Sequence, residues 1–243
     1  MNNLKSYLDE WVDKINTPSF IEKDPVQFPR RYTSLQDIEI AAILTATIAW
    51  GNRRMILNSA EKMFQITGQS PFDFVMSKGY ESLDPKANIH RTFFQGDLTY
   101  LCKALNHIYT QTNSLEGFFE GDVWRGIELF KDIAYTVNQS KTKHISDAAA
   151  GSACKRLHLA LRWLVRNDGI VDLGVWKNIS PESLFIPLDV HVSRTARTLG
   201  LLNRKSNDRI SVEILTDKLR DYCPEDPVKY DFALFGIGES NNY

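Results

Sequence analysis

The chain has 243 residues, 43% hydrophobic and 24% charged, a balance that supports a folded core and excludes disordered, collagen-like and coiled-coil chains. This length suits one large domain or two small ones. The formal charge of -1 at pH 7 excludes a protein coated all over in nucleic acid or spread on an acidic membrane surface.

In chain order, the first segment, MNNLKSYLDEWVDKI, is amphipathic and slightly acidic over 4–15, unlike the basic start and apolar run of a signal peptide. No stretch approaches the ~18 uninterrupted apolar residues of a membrane span, so a cytoplasmic protein with no membrane partner is expected. Residues 37–49 (DIEIAAILTATIA) place Ile38, Ala41, Ala42, Thr45 and Ala49 on one stripe with most of the rest apolar too, predicting a core helix buried on nearly all sides. Helical patterns follow over 53–66, 97–112, 122–138, 153–166, 190–199, 211–222 and 227–235, punctuated by Asn52, Gly68-Gln69-Ser70-Pro71 and Gly200. Alternation is short everywhere, and the pair Asp168-Gly169 follows a helical run, so it reads as a helix-ending turn. The fold class is all-α, without repeats.

Two helix starts have a local cause. Asp189 is a good N-cap for a helix carrying Val192, Ala196 and Leu199 inward and ending at Gly200, and Asp226 followed by Pro227 opens the last helix. Cys102, Cys154 and Cys223 are far apart with no C-x-x-C pair, so neither a zinc site nor a four-cysteine cluster is expected, nor any metal or cofactor, and the compartment reads as reducing.

Residues 147–197 hold the candidate chemistry. Positions 155, 159, 162 and 166 (Lys, Leu, Arg, Arg) share one helical face, and Leu157, Leu161 and Leu164 share another, so one side is expected to pack and the other to be cationic. Gly151 lies just before this helix, where backbone N–H groups and the helix dipole favour an anion such as phosphate.

Gly151-Ser152-Ala153-Cys154-Lys155 and Leu188-Asp189-Val190-His191-Val192-Ser193-Arg194 resemble two motifs of the helix-hairpin-helix superfamily of DNA glycosylases: a hairpin L-P-G-x-G-x-K and a helix opened by V-D-x-H-x-x-R. The 8-oxoguanine glycosylase/lyase branches are the nearest. The resemblance spans most of residues 35–238, with DIEIAAILTATIAWGNRR as the early core helix. More narrowly, the run from KRLHLALRWLVR through VDLGVWK and PLDVHVSR to DPVKYDFALFGIG resembles DUF2400, a bacterial family of uncharacterised proteins placed in that superfamily. Ala153 replaces the second hairpin glycine and Ala149-Ala150 the leucine-proline start, and the Lys155-to-Asp189 interval of 34 residues contains the added connection VDLGVWKNISPESLFIP.

The resemblance implies one glycosylase-like unit of two helical subdomains around a cleft. It makes Lys155 the nucleophile that forms a Schiff base at the sugar C1′, with Arg156 and His158 close in sequence, and Asp189 the carboxylate that stabilises the sugar cation and helps deprotonate the lysine. Gly151, Arg156, Arg162, Arg166 and Arg194 would bind phosphate. Trp50, Trp163 and Trp176 would line the pocket of a flipped base. Each has a plainer reading: Lys155 as a solvated helix residue, Asp189 as a cap alone, the tryptophans as core, and Arg194 and Arg197 as partners of acidic side chains.

DNA is then the expected partner of an enzyme that excises a damaged base and has AP-lyase potential. The alternatives are a hydrolase of a free modified nucleoside or nucleotide, favoured by the near-neutral charge, and a non-catalytic nucleic-acid-binding protein. The -1 is itself a sum. Lys141, Lys143, Lys155, Arg156, Arg162 and Arg166 face Asp147 alone within 141–166, whereas 213–243 is acidic through Glu213, Asp217, Asp221, Glu225, Asp226, Asp231 and Glu239. A narrow basic face around the hairpin is the expected binding surface.

Overall fold

The helical runs of the sequence are helices in the computed structural model, which describes residues 2–240. In order they are α1 (Asn2–Ile15), α2 (Pro18–Ile21), α3 (Leu35–Thr47), α4 (Arg53–Thr67), α5 (Pro71–Met76), α6 (Gln95–Tyr109), α7 (Val123–Asn138), α8 (Lys155–Val165), α9 (Val190–Thr198), α10 (Arg209–Arg220) and α11 (Tyr230–Ser240). A minimal antiparallel pair, β1 (Asn88–His90) and β2 (Phe93–Phe94), precedes α6. No described helix is long and apolar enough to cross a membrane. The three cysteines are buried free thiols.

Two compact units divide the chain. One is continuous, Ile21–Ser146; the other takes, among the described residues, 2–20 and 147–240.

In the continuous unit, α3 begins where Ser34 Oγ accepts the N–H of Asp37, and Asp37 in turn accepts from Ser70 Oγ and Phe72 N at the start of α5. The Gly68–Pro71 punctuation therefore opens a short helix that its apolar pattern was too brief to announce. Ile38 through Thr47 are all buried, as the apolar run predicts. Among them is Glu39, fully buried, whose carboxylate accepts from Tyr109 Oη (2.7 Å), Ser114 Oγ (2.6 Å) and Leu115 N (3.2 Å) and so latches the loop after α6. Asn52 caps α4 and Asp122 caps α7 through their side chains.

The second unit packs α11 against α1 and α9. The segment FGIG makes this possible. A Cβ on Gly236 would lie 2.4 Å from Ile15 Cγ1 of α1, and one on Gly238 would lie 2.8 Å from Thr195 Oγ1 of α9. Two glycines two residues apart, on nearly opposite sides of the helix, let α11 close on both neighbours. Asp189 caps α9 as expected, and Gly200 (φ +72°) ends it, with Leu201 N returning to Ala196 O. The last helix departs from expectation. Pro227–Lys229 is a 3-10 turn and α11 starts at Tyr230, because the Asp226 carboxylate is taken by Arg166 instead of capping.

The connection after α8 folds back on that helix. Leu173 N and Gly174 N donate to Trp163 O and Trp176 N to Leu164 O, satisfying carbonyls that a helix end leaves open. The Asp168-Gly169 turn lies just beyond this helix end: Asp168 Oδ1 accepts from Ile170 N and Val171 N, and Gly169 sits at φ +71°.

Candidate active site

Lys155 is the first residue of α8. It follows Cys154, a non-glycine residue in the left-handed region (φ +46°), which swings the chain sharply into the helix. The preceding turn is internally bonded: Ala150 N to Asp147 Oδ1, Gly151 N to Ala148 O (3.0 Å), Ser152 N to Asp147 O and Cys154 N to Ser152 Oγ. It is docked on the start of α10, where Arg209 N donates to Gly151 O and Ser152 pairs with Asp208. Gly151 adopts the φ (+82°) that favours glycine, and its own N–H donates to Ala148 O.

From this position the Lys155 Nζ comes within 3.7 Å of Asp189 Oδ2, with the two side chains 27% and 33% exposed. The other carboxylate oxygen, Oδ1, accepts the N–H groups of His191 (2.8 Å) and Val192 (2.9 Å). The cap therefore aims the carboxylate: one oxygen is pinned to the helix and the other is turned to the amine. At 3.7 Å the contact is electrostatic and longer than a hydrogen bond.

The cationic stripe of α8 points into the protein. Arg162 and Arg166 are both 3% exposed. Arg162 contacts Asp231 and, at 3.3 Å, Asp172; Arg166 contacts Asp172, Asp168 (3.0 Å) and both oxygens of Asp226 (2.9 Å). Their guanidinium groups also stack over Phe232. Reading Arg162 and Arg166 as phosphate ligands is therefore corrected: a buried cation must be paired, and these are paired with Asp226 and Asp231 of the acidic stretch, with Asp168 and with Asp172 of the added connection. Lys141 and Lys143 belong to the continuous unit, so the basic run of 141–166 is divided between the two units. Arg156, half-buried, and Arg194, exposed, remain on the unit that carries Lys155.

His158 supplies no positive charge to Lys155. It is buried, and burial, reinforced by Arg209, drives its imidazole down to about 3, leaving it neutral. Trp163 (0% exposed) and Trp176 (1%) are core residues, their faces already covered, so the base-stacking expectation for them is corrected. Trp50 lies in the other unit, half-buried, stacked on His144 at 5.7 Å and edge-on to His90, whose Nε2 donates to the Trp50 carbonyl.

Two residues join the site that the sequence did not single out. Asp231, in the apolar run YDFALFGIG, is buried in contact with Arg162. Burial pushes its carboxyl up to about 6; Arg162 and Lys155 oppose the rise and Asp189 adds to it. Asp172, fully buried between Arg162 and Arg166, is likewise raised by burial against the pull of both guanidiniums. The only signal for Asp231 was a charge inside an apolar helix, where it must find a partner.

A family model described as "Protein of unknown function (DUF2400)" matches residues 24–240. Comparison with curated proteins and with solved structures returns no significant match. With nearly its whole length covered by that model, the chain belongs to the DUF2400 family.

Proposed function

We propose that this protein is a lysine-dependent glycosylase of the helix-hairpin-helix type, excising a damaged base from DNA with AP-lyase potential. The observation that carries the reading is the amine of Lys155 placed 3.7 Å from the free oxygen of a carboxylate whose other oxygen is pinned by a helix cap. A lysine attacks only as the free amine. Asp189 Oδ2 is the acceptor placed to take its proton. The Nζ lone pair then bonds to C1′ as the C1′–N bond to the base breaks and the bonding pair leaves with the base, which takes up a proton. The new C1′–N group gives up a proton, the nitrogen lone pair forms the C=N bond as the C1′–O4′ bond breaks, and the departing pair on O4′ takes up a proton, leaving the iminium and a sugar hydroxyl. Asp189, again an anion, stabilises positive charge developing on the sugar.

The test is borohydride trapping on an oligonucleotide carrying an oxidised base or an abasic site. Reduction of the iminium cross-links protein to DNA in the wild type, and the cross-link is absent in Lys155→Ala. Absence in the wild type across lesions removes the reading.

One observation favours a second substrate, a free modified nucleoside. With Arg162 and Arg166 internal, these two cations of α8 are not available to grip a phosphate backbone. Release of free base from nucleosides by a protein that traps no oligonucleotide selects this substrate.

A further inference from the structure

Three segments of the continuous unit meet at Trp50. The first runs from Trp50 through Gly51 into the start of α4, the second is the turn between β1 and β2, and the third is 141–144. His90 ties the first to the second: its Nε2 donates to Trp50 O (2.9 Å), and its Nδ1 accepts from Ser59 Oγ of α4 (2.9 Å). His144 ties the third to both. Its Nε2 donates to Thr92 O (3.1 Å) in the turn, and its ring stacks on the Trp50 indole with centroids 5.7 Å apart. Arg91, left-handed at φ +48°, lays its side chain over Gly51, where a Cβ would come within 2.7 Å of the guanidinium. Only a glycine leaves that room.

The charge of these segments has one sign. Residues 50–54, 90–92 and 141–144 contain Arg53, Arg54, Arg91, Lys141 and Lys143 and neither Asp nor Glu. Arg54, Arg91 and Lys141 are exposed and make no ion pair among the described residues. Asp97 faces His144 Nε2 at 3.5 Å, but its other oxygen is engaged by Phe94 N at the start of α6. The buried arginines of α8 are each matched by carboxylates; the cations around Trp50 are left to the solvent side.

We propose that this patch binds single-stranded nucleic acid, one base on the Trp50 indole and the adjoining phosphates on Arg54, Arg91 and the lysines of 141–144. The ring decides the partner. Trp50 is half-buried and held in place, its carbonyl by His90 and its indole by the His144 stack and the edge-on His90 ring at 4.7 Å. A fixed aromatic ring flanked by arginines supplies both a stacking surface and phosphate counter-charges. An acidic protein segment would use the cations and gain nothing from the ring, and a duplex keeps its base faces inside the stack. The inference goes beyond the reading above, because neither Lys155 nor Asp189 takes part in it.

The test is a binding titration without chemistry. Full-length protein is added to a fluorescein-labelled oligothymidylate of about 12 nucleotides, free of lesions, and anisotropy is read over a series of salt concentrations. Wild type is expected to bind it more tightly than the duplex of the same length or polyglutamate. Arg54→Gln and Arg91→Gln should each weaken binding roughly threefold to tenfold at low salt and lower the slope of log affinity against log salt by about 0.7. Trp50→Leu should weaken it roughly fivefold to hundredfold and leave the slope unchanged, a split that a general loss of structure would not produce. Arg125→Gln, which removes an exposed charge at the start of α7 in the same unit, should change affinity by less than about twofold. If Trp50→Leu does not fold, the two variants at exposed arginines decide. No binding by the wild type, equal binding of polyglutamate or duplex, or an equal loss in Arg125→Gln and Arg91→Gln overturns the proposal. A wild type that shows this binding and never traps with borohydride removes the glycosylase reading and leaves the surface; trapping without it does the reverse.

Discussion

Asp189 divides its two oxygens between two jobs: Oδ1 accepts the amides of His191 and Val192, and Oδ2 faces the Lys155 amine at 3.7 Å. The cap and the chemistry are therefore separable by substitution.

Asp189→Asn keeps a cap acceptor and loses the charge. Its stability should stay within ~0.5 kcal/mol of wild type, whereas Asp189→Ala, which loses the cap, should cost about 1 kcal/mol. Both should lose borohydride trapping. Urea denaturation beside the trapping assay reads the two effects; an Asn variant that traps at the wild-type rate removes Asp189 from the mechanism.

Arg166 makes four carboxylate contacts on three residues, so Arg166→Met takes this guanidinium from Asp226 and Asp168 and leaves the buried Asp172 with Arg162 alone. The expected loss is about 3–5 kcal/mol, against less than ~0.5 kcal/mol for the exposed Arg194→Ala. Equal denaturation midpoints for the two variants would show that Arg166 is a surface cation after all.

The acid dependence of stability has a signed contribution from Asp231, whose carboxyl is pushed by burial from its ordinary 3.8 to about 6. Between those values the folded protein holds a proton that the unfolded chain has released. This contribution is therefore full below about pH 4 and is lost as the pH rises to about 6. Asp168 runs the other way: burial works against it, but the Ile170 amide and Arg166 hold its carboxyl below the usual range, so its contribution is lost as the pH falls through that range. Relative to Asp231→Asn, wild type should lose stability from pH 4 to pH 6 and hold a constant difference above pH 7. A difference that does not change with pH contradicts this assignment.

Gly238→Ala would put a methyl 2.8 Å from Thr195 Oγ1, and the hydroxyl is itself bonded to His191 O at 3.2 Å. Separating α9 from α11 should cost about 1–3 kcal/mol and lower trapping by displacing Asp189. Thr195→Ala in the same chain makes room for the methyl and should restore part of both. No recovery in the double variant would place the strain elsewhere.

The local features of this protein were legible in its sequence because their causes are local. The apolar runs gave the helices to within a few residues, Asp189 announced a cap because its side chain reaches its own following amides, and Gly200 a stop because only the left-handed backbone is needed there. The resemblance to glycosylase motifs also pointed to Lys155 and Asp189, 34 residues apart. Only the tertiary structure decided which face of α8 is covered. Amphipathic spacing shows that two faces differ, and by the usual rule the leucines go in and the arginines out, but Arg162 and Arg166 are buried because carboxylates from as far as 69 residues along the chain meet them there. The near-zero net charge counted both partners of those internal pairs. Of what the sequence offered as a basic patch and an acidic tail, Arg162 and Arg166 meet Asp226 and Asp231 inside the protein, while Lys155 meets Asp189 where both are partly exposed.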